Sequence, residues 1–508
     1  MQKVPVEKLS GSFILYPDEA EFTIEKVPAR SLLDYRRFDF GAKLLYIDHY
    51  IKGLDMTYAK EVYSAQVKAI TAGSNSEKGN DSKNSLEDFI ETFNQLVLDI
   101  KENGFDSNKS LIPVDASGYV MDGAHRLCCA AYFNIDVTII KFKEWTVNYQ
   151  TDWIFLEKNF LEERYLDALA LEYCNWHDNL FMACIWPRSF SLPKEKRIAD
   201  EYIASETKIV YKKKARLDSK ALHNLLMQIY SHMDWIGNVE NKFAGVEAKI
   251  QEVYFKGIDS VEFYLLQADS YQTVFDMKQE VRKIYNVGLS SIHITDNIRE
   301  TRQIADLIFN PNSLYHLQNA TPDKYAKSFN NILLLKKILK ENELDLRNYV
   351  IDSSMSMAIF GIREAGDLDF FTTDGDKEKE LIKNISHCIL ECNDKYLSLH
   401  KHGLKDMIYN PVNYFVFYEM KFLTLSNVAY FKQKKGENKD KNDVKLIAAF
   451  LSDNFFNRTL SKILRFRYVL SIKRRMLKNW IRKVVVYILK KINLYSLVRN
   501  IYRKMRRK

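Results

Sequence analysis

Tyr349-Val350-Ile351-Asp352-Ser353-Ser354-Met355-Ser356-Met357-Ala358-Ile359-Phe360-Gly361-Ile362-Arg363-Glu364-Ala365-Gly366-Asp367-Leu368-Asp369-Phe370-Phe371 carries more information than any other stretch of this 508-residue chain. Tyr349 to Ile351 reads as an apolar strand that ends in a small, hydroxyl-rich turn, Asp352 to Ser354. A short helix, Met355 to Phe360, follows. Asp367 and Asp369 then stand two apart on a second strand, where alternate residues project to the same side, so their carboxylates could share a divalent cation. Backbone N–H groups at the helix start could receive a triphosphate. The pieces suit phosphoryl chemistry.

The stretch resembles the core motif of the polymerase-beta-like nucleotidyltransferase superfamily, a small Gly-Ser-like pair at a helix start followed about a dozen residues on by an acidic-hydrophobic-acidic triplet. The resemblance implies that Asp367 and Asp369 hold magnesium, and that Ser353 and Ser354 contact nucleotide phosphates. The usual glycine is absent from Asp352-Ser353-Ser354. Downstream, Met420-Lys421-Phe422-Leu423-Thr424-Leu425 and Phe431 to Val444, with Lys432, Lys435 and Lys439-Asp440-Lys441-Asn442-Asp443, resemble the helical region that follows the catalytic sheet in small-molecule nucleotidyltransferases. Lys435 stands where arginine is expected. Lys432 is assigned to phosphate, and Asp406, before Met407-Ile408-Tyr409, is the best-placed third metal carboxylate. The bland alternative for Asp367 and Asp369 is a solvated strand end.

Length leaves room for about three domains. Hydrophobic content of 46% with only 17 Gly and 9 Pro indicates folded domains with few long linkers. The six cysteines (Cys128, Cys129, Cys174, Cys184, Cys388, Cys392) show no metal-ligand spacing and read as reduced thiols of a cytoplasmic protein. Met1 to Glu7 lacks the apolar run of a secretory signal, and no uncharged stretch of about 18 residues offers a membrane span. The net charge of +9 hides an asymmetry: residues 458–508 hold 18 Lys and Arg and no acid, so the rest of the chain has 57 basic against 66 acidic residues.

Residues 1–145 alternate strand-like and helical patterns: Leu44 to Asp48 as a strand, Thr57 to Ala72 and Leu86 to Asn103 as helices, Ser110 to Val114 with Tyr119 to Asp122 as a hairpin, and Val137 to Ile140 as a closing strand. Between them Gly123-Ala124-His125-Arg126 opens a helix of small residues. A glycine lets the backbone approach a phosphate, the helix start supplies N–H donors, and Arg126 offers a bidentate fork. This unit resembles the ParB/sulfiredoxin-like fold, whose Gly-x-His-Arg turn binds nucleotide phosphates. The resemblance implies nucleotide contacts from Gly123, His125 and Arg126, and it admits an ATP-dependent kinase around Asp122, His125 and Arg126. A buried His125 with Arg126 paired to a structural carboxylate is the alternative.

Residues 146–320 read as a second α/β unit, with strands at 208–211, 261–266 and 290–296 and helices at 221–233, 274–284 and 299–309. His177 with Asp178 is taken as core or interface. Ile292-His293-Ile294-Thr295-Asp296 looks like the Ile-His-Gly-Ser-Asp region of nucleoside diphosphate kinases without its glycine. The alternative is a structural His293 beside a helix N-cap at Thr295 or Asp296. From Leu460 onward apolar residues interleave with Lys and Arg; such a tail is too charged to span a bilayer but can lie on an anionic surface, bind nucleic acid, or dock on this chain's own acidic body. Its aliphatic content favours membrane or a partner protein over nucleic acid.

The expectation is therefore an α/β (α+β) multidomain protein: a ParB/sulfiredoxin-like nucleotide-binding domain (1–145), a middle α/β domain (146–320), a nucleotidyltransferase-like domain with a mixed sheet (321–457) and a basic amphipathic tail (458–508). The expected activity is Mg²⁺- or Mn²⁺-dependent nucleotidyl transfer from a nucleoside triphosphate to a small molecule or glycan precursor, with surface-polysaccharide assembly at the inner membrane face as the implied setting. The alternatives are the N-terminal kinase and a non-enzymatic nucleotide-sensing scaffold recruited to membrane.

Overall fold

The computed structural model describes residues 1–9, 14–76, 84–387 and 389–452, with scattered positions between 470 and 494. Most of the basic tail expected at 458–508 lies outside the described residues; within it, the side chains of Leu477, Trp480, Ile481 and Ile488 are exposed. The chain is mixed α/β, with many helices around several small sheets. Among the described residues no helix is long and apolar enough to cross a membrane.

In the N-terminal part, Phe22–Pro28 pairs antiparallel with Asp136–Phe142, which pairs parallel with Ile112–Val114. The run expected as a strand, Leu44 to Asp48, is instead part of the helix Phe40–Lys52, closed by Gly53 at φ 68°. Its residues from Phe40 to Ile47 are all buried, so no polar face marks a helical period, and an apolar run of that kind is ambiguous between helix and strand. Met56–Ile70 and Leu86–Asn103 are helices as read. The second is fixed at both ends by chemistry visible in the sequence, a Ser85/Asp88 capping box and Gly104 at φ 75°.

The middle part holds an antiparallel sheet ordered Lys208–Arg216, Ser260–Gln267, Leu180–Ile185, Ile292–Ile294. The helix after it starts at Ile298 with Asn297 as N-cap, so neither Thr295 nor Asp296 takes that place. Thr295 is buried and its hydroxyl is shared with Thr301 at 2.8 Å.

The C-terminal part is a five-stranded mixed sheet ordered Leu390–Cys392, Leu368–Thr372, Tyr349–Ile351, Met420–Leu423, Tyr414–Phe417. Met420–Leu423 is thus a strand, parallel to Tyr349–Ile351, rather than the start of the helical region, which begins with the helix Leu425–Lys435. The two-residue hairpin before it, Tyr418-Glu419, has φ 52° and 65°. Non-glycine residues rarely adopt that geometry, and here it is over-determined: Tyr418 N–H donates to Gln228 Oε1 at 3.0 Å, and Glu419 pairs with Arg299, Lys336 and Lys340 at 2.9, 3.2 and 3.3 Å. The largest hydrophobic core runs continuously from Phe38 to Ile447, so this sheet is braced by the helices of the middle part.

Candidate active site

The site is built where the strand Tyr349–Ile351 ends. Ser353 has φ 63° and ψ −129°, the conformation of the first inner residue of a type II′ turn, which glycine normally fills. The missing glycine of the sequence motif is therefore missing in composition but present in backbone shape. A non-glycine residue held there costs about 1–3 kcal/mol, and such strain gathers at functional turns. Ser353→Gly should remove it, less about 0.5–1 kcal/mol for glycine's extra freedom in the unfolded chain. The expected net is about 1 kcal/mol of added stability, a rise of about 2–4 °C in the melting of a cooperative unit of 150–250 residues. Differential scanning calorimetry checks it, and an unchanged or lowered melting temperature would contradict the strained turn.

Beyond the turn runs the short helix Ser354–Ile359, all of it buried, and then the second strand. Asp367 lies one residue before the strand Leu368–Thr372 and is exposed; Asp369 lies on it and is half-buried. Asp352 N–H donates to Asp369 O at 2.9 Å, one step beyond the Ile351–Phe370 pair, so the two aspartates face each other across adjacent strands. On the other side Asp369 is in register with Glu391. Asp352, Asp369 and Glu391 thus form a row across three strands, with Asp367 at its edge. Burial first, then the charges of Asp367 and Asp352, push the Asp369 carboxyl up to about 7; Glu391 adds to this and Lys435 opposes it.

Asp352 is wholly buried. Its Oδ2 accepts from Asn393 Nδ2 at 3.2 Å and lies 3.4 Å from His400 Nε2, while Oδ1 is buried with no hydrogen-bond partner. His400 stacks on Phe431 at 4.4 Å. No three His, Cys, Asp or Glu side chains among the described residues come close enough to hold a metal ion by themselves. The row still suits a cation: magnesium is usually held by one or two carboxylates, its remaining ligands being phosphate oxygens and water, and here a carboxyl crowded by like charges sits beside an orphaned carboxylate oxygen.

The structure does not bring the other expected residues to this row in the expected way. Asp406, the expected third acid, lies on the helix Leu404–Tyr409, and its carboxylate accepts the Asp55 N–H at 2.8 Å, joining the N-terminal and C-terminal parts. Asp352 and Glu391 occupy the row instead; strand register, which no residue pattern announced, places them. Lys432 is buried and paired with Asp440 at 3.2 Å and Asp443 at 2.8 Å, so its charge is spent internally. The cation that bears on Asp369 is Lys435, seated 4.4 Å above the Tyr396 ring and 3.1 Å from Glu437.

In the N-terminal part Gly123 caps the helix Ala124–Tyr132 at φ 82°, a left-handed conformation that strains any residue with a Cβ, and a Cβ there would also push on Ile112 Cδ1 at 2.6 Å, so the turn favours glycine. His125 Nε2 shares a hydrogen bond of 2.8 Å with Tyr63 OH and packs edge-on to Phe93; Arg126 lies 3.8 Å from Asp122. His177 is structural, with its ring stacked 3.7 Å from Tyr173 and both nitrogens on backbone carbonyls.

No protein-family model matches the chain, and neither curated proteins nor solved structures give a significant match.

Proposed function

We propose that the C-terminal sheet carries a metal-dependent nucleotidyltransferase site that moves a nucleotidyl group from a nucleoside triphosphate to a small molecule or glycan precursor. The observation that carries this reading is the row of carboxylates at Asp369, reached from a glycine-shaped turn by one short helix. Asp367 and Asp369 would hold a divalent cation, with Asp352 and Glu391 behind them. Bound there, Mg²⁺ or Mn²⁺ would supply charge neutralisation for the triphosphate and ease deprotonation of an attacking hydroxyl. The chain's own residues do the rest: the Ser353-Ser354 turn and Lys435 orient the phosphates, and Asp352, held by the Asn393 amide, keeps the acid row in place. An acceptor oxygen forms a bond to the α-phosphorus, the bond from that phosphorus to the bridging oxygen breaks, and pyrophosphate leaves.

The test is incubation of the purified protein with each labelled nucleoside triphosphate, Mg²⁺ and candidate acceptors, following pyrophosphate against ADP and phosphate. Pyrophosphate release supports the reading. ADP without pyrophosphate moves the activity to the Gly123 to Arg126 turn, and neither product, with nucleotide still bound, supports the scaffold.

The basic tail is read as a membrane contact at the inner face. Eighteen basic residues without an acid, at about 1 kcal/mol for each one near an anionic surface, can hold the chain even when few engage. Removing residues 458–508 should abolish co-sedimentation with anionic liposomes and leave pyrophosphate release intact. Equal sedimentation with and without the tail would refute the contact.

A further inference from the structure

Lys208–Arg216 is an edge of the middle sheet: among the described residues only Ser260–Gln267 pairs with it. Leu217 N–H donates to Asp259 O at 2.7 Å, which continues the Arg216–Ser260 register by one step. In an antiparallel pair, residues that exchange hydrogen bonds alternate with residues whose N–H and C=O point away from the partner. Counting back from Leu217 along the unbroken register, Ala215, Lys213 and Tyr211 bond inward, while Arg216, Lys214 and Lys212 turn outward. Arg216 bears out the count, because its carbonyl accepts the Gln318 amide at 3.0 Å from outside the sheet. The outward N–H and C=O of Lys212 and Lys214 have no partner among the described residues.

Those two residues border a cavity of about 330 Å³, walled on its far side by Trp153, Leu161 and Leu166, from the helices Trp153–Lys158 and Glu163–Trp176 and the turn between them. Tyr211 adds to the apolar wall, with its ring 5.7 Å from Trp153 and nearly perpendicular to it. Alternation along the strand sends the side chains of Lys212 and Lys214 to the other face of the sheet. There Lys212 pairs with Glu262 at 3.1 Å, and Lys214 lies 4.7 Å over the Phe190 ring. What these two bring to the cavity is therefore main chain. The Lys213 ammonium is taken up by Asp167 and the Ile308 carbonyl. Two exposed carboxylates, Glu157 and Glu163, stand at the mouth; Glu157 has no ion pair among the described residues, and Glu163 reaches only Lys213, at 3.6 Å.

An added strand is a poor occupant, because lysines along an edge discourage another chain and the cavity is at the small end of the range of about 300–1,000 Å³ for small-molecule sites. The open N–H and C=O of one residue set a donor beside an acceptor, and they ask for the reverse pattern on one edge of a ligand. The Trp153 and Tyr211 rings ask for a flat apolar body. The two carboxylates at the mouth turn away an anion. The edge of a nucleobase has that donor and acceptor pattern. We propose that this cavity binds an unphosphorylated nucleoside by its base, at a site separate from the carboxylate row of the C-terminal sheet.

Isothermal titration of the full chain with adenosine, guanosine, cytidine and uridine, and with their 5′-monophosphates, tests this. At least one nucleoside should bind, and its monophosphate should bind about 10-fold more weakly, a gap that Glu157→Gln with Glu163→Gln should narrow. The main-chain contact is tested by proline, which an edge strand accepts where its N–H faces outward. Lys214→Pro removes that donor and no ladder bond, whereas Lys214→Ala removes only the side chain. Lys214→Ala should bind like wild type, and Lys214→Pro should melt close to Lys214→Ala yet bind about 10-fold more weakly, the loss expected for one hydrogen bond. Pyrophosphate release should be unchanged in each variant. The proposal is overturned by absence of nucleoside binding up to about 10 mM, far weaker than a built site gives, by monophosphates that bind as tightly as nucleosides, or by equal binding in Lys214→Pro and Lys214→Ala. It also falls if Lys214→Pro melts far below Lys214→Ala, since the 214 N–H would then belong to the ladder.

Discussion

Asp369→Asn is expected to lower pyrophosphate release by about 10³-fold or more, because a carboxylate that helps hold the catalytic cation commands several kcal/mol of transition-state stabilisation and each 1.36 kcal/mol is tenfold in rate. Asp367→Asn should behave alike, and the double variant should be little worse than either, since losing one ligand already disables a shared site. Binding of Mn²⁺ together with a nucleoside triphosphate, followed by electron spin resonance, should be lost in parallel. A double variant with full activity would sink the nucleotidyltransferase reading.

The same substitution should stabilise the ligand-free protein at alkaline pH. The Asp369 carboxyl is raised in the folded state from 3.8 to about 7. A carboxyl raised on folding binds its proton more tightly in the folded than in the unfolded state. Its ionisation therefore removes stability as pH rises from about 4 through about 7, and the loss is complete above that window. Allowing for its partial exposure, Asn should recover on the order of 2 kcal/mol at pH 8 and almost nothing at pH 4. A solvated strand end would show neither change. Gain of stability with loss of activity is the signature of a site held together against its own repulsion until a cation arrives.

What could be read without the structure was local. The helix Leu86–Asn103 and the turn, short helix and strand around Ser353 and Asp369 declare themselves within a few residues. What could not be read depends on partners far along the chain. Leu180–Ile185 is buried at every position, with no alternation to betray a strand. The third member of the acid row needed strand register: Glu391 is there because Leu390–Cys392 pairs parallel with Leu368–Thr372. Asp406 is the best placed by its position before Met407-Ile408-Tyr409, yet it answers to Asp55 N–H, 351 residues away. A charged residue's sequence neighbours do not show where its charge is spent.

Lys432 makes that distinction measurable. Read from its neighbours it contacts phosphate; in the fold it is one of four charges that cancel. Arg363 grips Asp443 with Nε and Nη2, both at 2.6 Å, Asp443 also pairs with Lys432, and Lys432 reaches Asp440. Burial alone would raise the Asp443 carboxyl, but Arg363 and Lys432 hold it below its usual range. Because Arg363 lies in the segment that leads to Asp367, this network pins the helix Asn438–Ser452 to the loop that carries the first acid of the pair. Lys432→Met leaves Asp440, 1% exposed, without its partner. Breaking one side of a buried pair costs about 3–5 kcal/mol. Lys432→Met is therefore expected to unfold this part of the chain well below the wild-type midpoint in urea, and adding Asp440→Asn should restore most of the loss by removing the stranded charge. The double variant should then turn over nucleotide with a near-normal KM. If Lys432→Met instead keeps its midpoint and raises KM for the nucleoside triphosphate, the lysine faces the phosphates after all, and Lys435 loses the role given to it here.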